Sequence, residues 1–312
     1  MPEFQPEEPP PRPIPEILAD MGLEGTFSGS HVKPATVEHR PGECLFCQDG
    51  FSSGRTKEHV FPRWLLGHLG VSATEMRGRW MEGATLYQTT KNIRQQSLGS
   101  MVHGHVCAGC NGGWMSALEV EVRPVLVGLA DGTRDVRTLT TRARELLARW
   151  TVKTVAALNH ASNFHTMVPY EHARAVRTGV PVIGTTVFAR QMPRVHDRIS
   201  WHQCSLGPGI IPRGASSAEA MAAMSGEWRI ALAVDRLLVG AFFMPTSDYV
   251  HCAERTLHVP VWPVGGTWPV TDRTSGFPLD DVAAELSAFT YFELFWIHES
   301  LREDHDEVSL PA

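Results

Sequence analysis

Two C-x-x-C turns, Cys44-Leu45-Phe46-Cys47 and Cys107-Ala108-Gly109-Cys110, bracket a Lys57-Glu58-His59-Val60-Phe61-Pro62 segment, and Asn111 directly follows the last cysteine. Two such turns can wrap four thiolates around one tetrahedral Zn²⁺, and a site saturated with thiolates builds structure, because it keeps no open position for a substrate. Glu58, His59 and Asn111 offer different chemistry. A carboxylate and an amide oxygen can hold Mg²⁺ or Mn²⁺ with positions left for water and a phosphate oxygen. A neutral imidazole beside that cation can take a proton from the attacking water near neutral pH. One metal for scaffolding and one for chemistry is an arrangement suited to phosphodiester hydrolysis.

Each element of this constellation also has a plainer reading. A Glu-His pair alone is more often a surface acid beside a packed imidazole, and an asparagine just before a helix is an ordinary cap. Four thiols can also be a coincidence of buried residues or two disulfides. In Val102-His103-Gly104-His105-Val106 the alternation suggests a strand with His103 and His105 on one face. Those rings would either touch the metal or scissile phosphate, or simply pack near zinc. Arg55, Lys57, Arg63, Arg77, Arg79, Lys91 and Arg94 form a phosphate-binding patch or a set of scattered solvated charges, with Arg63 and Arg55 the first choices for a phosphate clamp. Trp64 and Trp80 can stack on bases, whereas Trp114 lies on an expected core face. His202, Cys204, His251 and Cys252 could converge on a second metal, but isolated cysteines this far apart usually act as small buried residues.

The order C-x-x-C, acid-His, C-x-x-C-Asn resembles the HNH, or ββα-metal, endonucleases, and within them the phage endonuclease VII type. The resemblance covers residues 41–131. It implies a structural zinc on Cys44, Cys47, Cys107 and Cys110, a catalytic divalent cation on Glu58 and Asn111, and His59 as general base. It further implies a hydrolase that cuts DNA, with RNA as the alternative substrate. The chain departs from the family pattern at two places. Glu58 stands where aspartate is usual, and no asparagine lies a few residues before Cys107, where His103 and His105 are found instead.

The elements that must hold these residues can be read from periodicity and punctuation. A short strand ends near His59, a helical turn spans Pro62 to Leu69, and Val102–Val106 is a strand feeding the second cysteine turn. Gly113–Ala130 reads as a helix striped by Trp114, Leu118, Val122, Val125 and Leu129, with Pro124 inside it. A second helix is expected over Thr141–Ala161, and a third over Leu279–Ser300. Strand-like runs occur at Pro181–Arg190, Ile199–Leu206, Trp228–Met244 and Leu257–Val264. The expected fold class is therefore α+β. Residues 1–40 form a proline-rich arm without packed structure, residues 41–131 a zinc-stabilised ββα-metal module, and residues 132–312 an α+β domain with a largely antiparallel sheet.

Composition sets the remaining bounds. With 43% hydrophobic residues in 312, a sizeable core is expected. No apolar run reaches the roughly 18 residues that span a membrane, and the acidic start is unlike a signal peptide. Paired cysteine turns point to metal in a reducing compartment, hence a cytoplasmic protein. Net charge is −6, awkward for a partner of nucleic acid. However, residues 1–40 hold seven acids against three bases while residues 41–135 hold nine of each, so the cysteine-bearing segment is neutral. Two other functions fit this sequence: an HNH-like scaffold running a different metal-dependent reaction on a small substrate, and a zinc-stabilised binding module whose catalysis has lapsed.

Overall fold

The computed structural model describes residues 37–38, 40–76, 80–82, 87–89, 96–161, 166–192, 198–204, 209–210, 216–254, 259–263, 267–271, 294–298 and 307–309. The expected N-terminal arm therefore lies almost wholly outside the described residues, as do Arg77, Arg79, Lys91 and Arg94 of the basic set.

Strand β1 (Arg55–His59) pairs antiparallel with β2 (Val102–Cys107). Thr56 faces Val106 and Glu58 faces His103, so one residue on β1 is matched by two, Gly104 and His105, on β2. This bulge interrupts the alternation expected of β2. Helix α1 (Arg63–Leu69) follows β1. It begins after Pro62, which cannot donate a backbone hydrogen bond, and ends at Gly70 in the left-handed conformation, φ 70°, where the Gly70 N–H caps the carbonyls of Leu66 and Gly67. Beyond β2 the chain winds through Ala108–Cys110 and a π-type turn, Asn111–Met115, into helix α2 (Ser116–Ala130). Gly113 inside that turn leaves helical geometry (φ −97°, ψ −112°), so α2 is regular only from Ser116.

Helices α3 (Thr141–Ala161) and α4 (Tyr170–Thr178) come next. The remainder is mostly strand: β3 (Thr185–Gln191), β4 (Ile199–Cys204), β5 (Trp228–Val234), β6 (Leu237–Phe243), β7 (Tyr249–Glu254) and β8 (Val259–Trp262), with one short helix, α5 (Ser217–Ala223), before β5. The order β8-β3-β6-β5-β4 makes a five-stranded sheet in which every pairing is antiparallel. The run expected as one stretch over Trp228–Met244 is a tight hairpin, turned at Asp235 with φ 48°. Strand β7 belongs to a second five-stranded sheet with Gly209–Ile210, Thr267–Thr271, Leu294–His298 and Glu307–Ser309, of mixed direction. The chain is thus of mixed helix and strand with largely antiparallel sheets, the α+β class. No described helix is long and apolar enough to cross a membrane.

The helix expected over Leu279–Ser300 is corrected where it is described. Leu294–His298 is a strand paired with β7. Its Leu-Phe-Trp-Ile-His composition is aromatic and β-branched, which suits a pleated surface better than a helix. The rest of that expectation lies outside the described residues.

Helix α3 is the hub. Fifteen of its twenty-one residues are buried, and from Trp150 to Asn159 it is enclosed on all sides instead of showing one apolar face. Three of the buried residues are polar with long reach, and each has partners. Arg144 donates to the carbonyls of Leu139, Arg137 and Pro260. Asn159 accepts from the N–H groups of Met167 and Val168 and donates to Gln203. Lys153 meets two carboxylates, described below. Buried polar groups persist only when satisfied in this way. One continuous apolar cluster runs from Phe46 and Val60 through Leu126, Leu147 and Trp150 to Val239 and Val261, crossing residues 131–132 without a break.

Candidate metal centre and catalytic site

The four cysteines come together. Cys44, Cys47, Cys107 and Cys110 are all buried, and their sulfurs all lie within 4.8 Å of one another. Among the described residues this is the only such group of three or more His, Cys, Asp or Glu ligands. The elements explain the convergence. Arg55 on β1 pairs with Cys107 on β2, and the Leu45 N–H donates to the His105 carbonyl, so the first cysteine turn is stitched to the strand that carries the second.

The geometry fits a tetrahedral ion. At a Zn–S bond of about 2.3 Å, neighbouring sulfurs of a tetrahedron lie about 3.8 Å apart, and Cys47 and Cys107 Sγ are 3.7 Å apart. None of the four is disulfide-bonded. Backbone N–H groups of Cys107 and Cys110 donate to the sulfurs of Cys44 and Cys107, each at 3.4 Å, and so favour thiolate character. The Cys44 thiol is drawn down to about 4, chiefly by a hydrogen bond with Cys110, while burial pushes Cys47 up to about 12. Four buried sulfurs gathered this closely can hold a metal such as zinc.

The second group is built around Glu58 and His59. Glu58 is 7% exposed. Its carboxylate lies 3.5 Å from Lys153 Nζ on α3, and the same ammonium lies 2.7 Å from Glu119 on α2. Lys153 has no exposed side-chain surface. Burial raises the Glu58 carboxyl from its ordinary value, with the Glu119 charge adding to the rise and Lys153 opposing it. Two acids are thus held about one buried cation contributed by the protein itself.

His59 is half-buried at the end of β1. Arg63, the first residue of α1, donates from Nε to His59 Nε2 at 3.2 Å. Because Nε2 accepts, the ring proton sits on the other nitrogen, consistent with a hydrogen bond to the Gly99 backbone. A side chain at Gly99 would meet the Ser72 carbonyl oxygen at 2.7 Å, so only glycine fits there. Burial, followed by the Arg63 charge, lowers the His59 pKa, while Gly99 and Glu119 oppose the shift. The imidazole is therefore neutral at neutral pH, with a basic lone pair directed at Arg63.

The remaining candidates fall in different places. Asn111 is half-buried in the π-type turn, and no hydrogen bond or ion pair joins it to Glu58 or His59 among the described residues. His103 is buried opposite Glu58, with its ring 5.9 Å from His160, while His105 sits near Phe51, four residues beyond the first cysteine turn. Their rings are 5.6 Å apart, and the His105 N–H donates to His103 Nδ1. Arg55 donates to the Pro41 carbonyl at 2.7 Å and stacks over Phe51, which ties it to the cysteine turn; Arg63 is exposed beside His59. Trp64 and Trp114 are each covered by an arginine, Arg123 and Arg149. His251 is buried, with Thr186 Oγ1 at 2.9 Å from Nδ1 and Glu227 at 3.9 Å from Nε2; the Cys252 side chain lies outside the described residues.

Sequence reasoning missed Glu119 and Lys153. Glu119 lies eight residues beyond Asn111, outside any short motif. Lys153 did leave a signal, as the one charge in the apolar run Trp150-Thr151-Val152-Lys153-Thr154-Val155-Ala156-Ala157-Leu158. A lone lysine inside a helix that buries its whole circumference must find a carboxylate. No protein-family model, characterised protein or solved structure matches the chain.

Proposed function

We propose that the chain is a divalent-metal-dependent endonuclease of the HNH, ββα-metal type, hydrolysing phosphodiester bonds in DNA. Supporting it most directly is the neutral His59 imidazole, directly following Glu58 on a strand paired with the one that ends in the second cysteine turn. In this reading β1, β2 and α2 are the ββα unit. Cys44, Cys47, Cys107 and Cys110 hold a structural zinc that locks the two cysteine turns together.

Glu58 and Asn111 would hold a catalytic Mg²⁺ or Mn²⁺. Hard oxygen donors suit these ions, although Glu58 is paired with the buried Lys153 ammonium and would have to exchange that partner for the ion. When bound, the ion supplies charge stabilisation at the phosphate and its leaving oxygen. The protein's own residues do the rest. His59 Nε2 takes a proton from the attacking water, and its other nitrogen stays anchored at Gly99. Arg63 must leave Nε2 for this, and a phosphate arriving at the site gives its guanidinium a stronger partner. Arg63 therefore serves as the clamp, a role for which Arg55 is already engaged elsewhere.

The contact between Lys153 and Glu58 favours one competing reading. An acid already neutralised by a buried lysine fits a zinc-stabilised binding module that has lost its catalysis. Nicking of supercoiled plasmid DNA separates the two. The nuclease reading expects cleavage that requires Mg²⁺ or Mn²⁺ and is lost in His59→Ala at unchanged zinc content; the lapsed module binds DNA without cutting it under any divalent ion.

A further inference from the structure

We propose that the Trp114 indole N–H serves the zinc centre as a donor to the Cys110 thiolate, and that Arg149 of α3 holds the ring in place, so that side chains outside the two cysteine turns set how tightly the ion is kept. This rests on the reading of Cys44, Cys47, Cys107 and Cys110 as zinc ligands, and on nothing at Glu58 or His59. Four thiolates carry more negative charge than one Zn²⁺ offsets, and in a buried site the excess must be met by hydrogen-bond donors. Backbone N–H groups meet part of it. Those of Phe46, Cys47 and Cys107 donate to Cys44, that of Asp49 to Cys47, and that of Cys110 to Cys107. The Cys110 sulfur draws on a side chain: the Trp114 indole beside it favours the thiolate form.

The packing around the ring suits it to this task. Trp114 lies in the π-type turn that leads from Cys110 into α2. Its ring meets Phe46, which sits between the two cysteines of the first turn, edge to face with centroids 5.3 Å apart and planes at 77°. Its Nε1 is buried and makes no hydrogen bond of ordinary geometry, so the contact with Cys110 is a weak one. A buried N–H left in that state is costly, and a thiol is only a weak acceptor. A metal-bound cysteine is deprotonated outright, and a charged acceptor makes the stronger bond. Ion binding therefore satisfies the indole and the sulfur together. The Arg149 guanidinium lies over the ring, 5.0 Å from its centroid, within reach of a cation–π contact. Arg149 is itself pinned, since Nε and Nη2 donate to the Val176 and Arg177 carbonyls of α4, each at 2.9 Å. It thus fixes the plane of the indole and adds positive charge behind it.

The test is the absorption spectrum of full-length protein carrying Co²⁺ in place of zinc, together with zinc competition against a chromophoric chelator. The wild type should give the charge-transfer and tetrahedral d–d bands of a four-thiolate cobalt centre. Trp114→Phe keeps an aromatic ring without the N–H. It should move the thiolate-to-cobalt charge-transfer band to longer wavelength, because a sulfur without its donor gives up charge more readily. It should also raise the zinc Kd about 10–100-fold, the usual cost of losing a group that supports a metal ligand. Arg149→Gln leaves the indole but releases its plane, and should shift band and Kd in the same direction by less. It also keeps the test available should Trp114→Phe fail to fold. Trp64→Phe is the control, because Trp64 is likewise covered by an arginine but belongs to α1, outside both cysteine turns; it should change neither readout. Weaker zinc binding with the band unmoved would mark Trp114 as packing alone and overturn the inference. An unmoved band in folded Arg149→Gln, or an equal shift in Trp64→Phe, would overturn it too. Absence of a four-thiolate cobalt spectrum in the wild type would remove the zinc reading and the inference with it. That spectrum in the wild type with an unmoved band in Trp114→Phe keeps the zinc reading and overturns only the donor.

Discussion

At the scale of residues, the proposed cleavage turns on what surrounds Glu58 and His59. The imidazole is held neutral by burial and by Arg63, with its basic nitrogen already accepting a hydrogen bond. Loss of a general base costs about 10²–10⁴ in rate, so His59→Ala should reduce cleavage by that factor. Its half-buried position predicts little change in melting temperature or zinc content, which circular dichroism and elemental analysis would check. The buried ion group makes a separate demand on stability. Lys153→Ala leaves two carboxylates without their cation, and breaking a buried pair costs roughly 3–5 kcal/mol; urea unfolding would measure it. The cysteines and the Glu58-His59 pair were legible in the sequence because their spacing is local. The Glu119 and Lys153 partners were not, because three elements far apart in the chain must pack before those groups meet.

Among the elements, the strands and helices around the site follow from periodicity. The β1 strand, α1, β2 and α3 lie close to where alternation, Pro62 and helical periodicity put them. What periodicity did not reveal is the bulge in β2, which gives His103 and His105 different neighbours, and the burial of α3 on every side from Trp150 to Asn159. A helix carrying Arg144, Lys153 and Asn159 resembles a half-exposed one until each polar group's partner is known. Helix α4 and strands β5 and β6 carry a further prediction. His172 accepts at Nδ1 from the Trp228 indole N–H at 3.2 Å and packs on Phe243, and burial lowers its pKa to about 4. Protonation would break that bond. The folded pKa lies below the unfolded value, so the unfolded chain binds more protons between them. The contribution is complete above about pH 6.5 and declines as pH falls towards 4. At about 1.4 kcal/mol per pKa unit, discounted for partial exposure, the loss is on the order of 2 kcal/mol. His172→Gln keeps an acceptor without a titratable ring, and it should flatten the fall of stability over that pH range in urea unfolding.

Over the whole molecule, one apolar cluster ties the cysteine-bearing segment to the β-rich remainder, and α3 is its axis. A fragment of residues 41–131 would expose Val122, Leu126 and Leu129 of α2 and lose Lys153, so it is predicted to melt without cooperativity even with zinc added, as calorimetry would show. Zinc should be present at about one equivalent per chain in elemental analysis. Cys107→Ser should forfeit much of the roughly 10–16 kcal/mol by which zinc stabilises small modules, with a large fall in melting temperature. The organisation at this scale was least legible in sequence, because no local signal records that two segments share a core. The most direct test of the central claim is nicking of supercoiled plasmid by zinc-loaded protein, wild type against His59→Ala, with Mg²⁺ or Mn²⁺ and with chelator. The account predicts cleavage by the wild type only with a divalent ion, reduced at least a hundredfold in His59→Ala at equal zinc content. Absence of nicking by the zinc-loaded wild type, or equal nicking by His59→Ala, would contradict it.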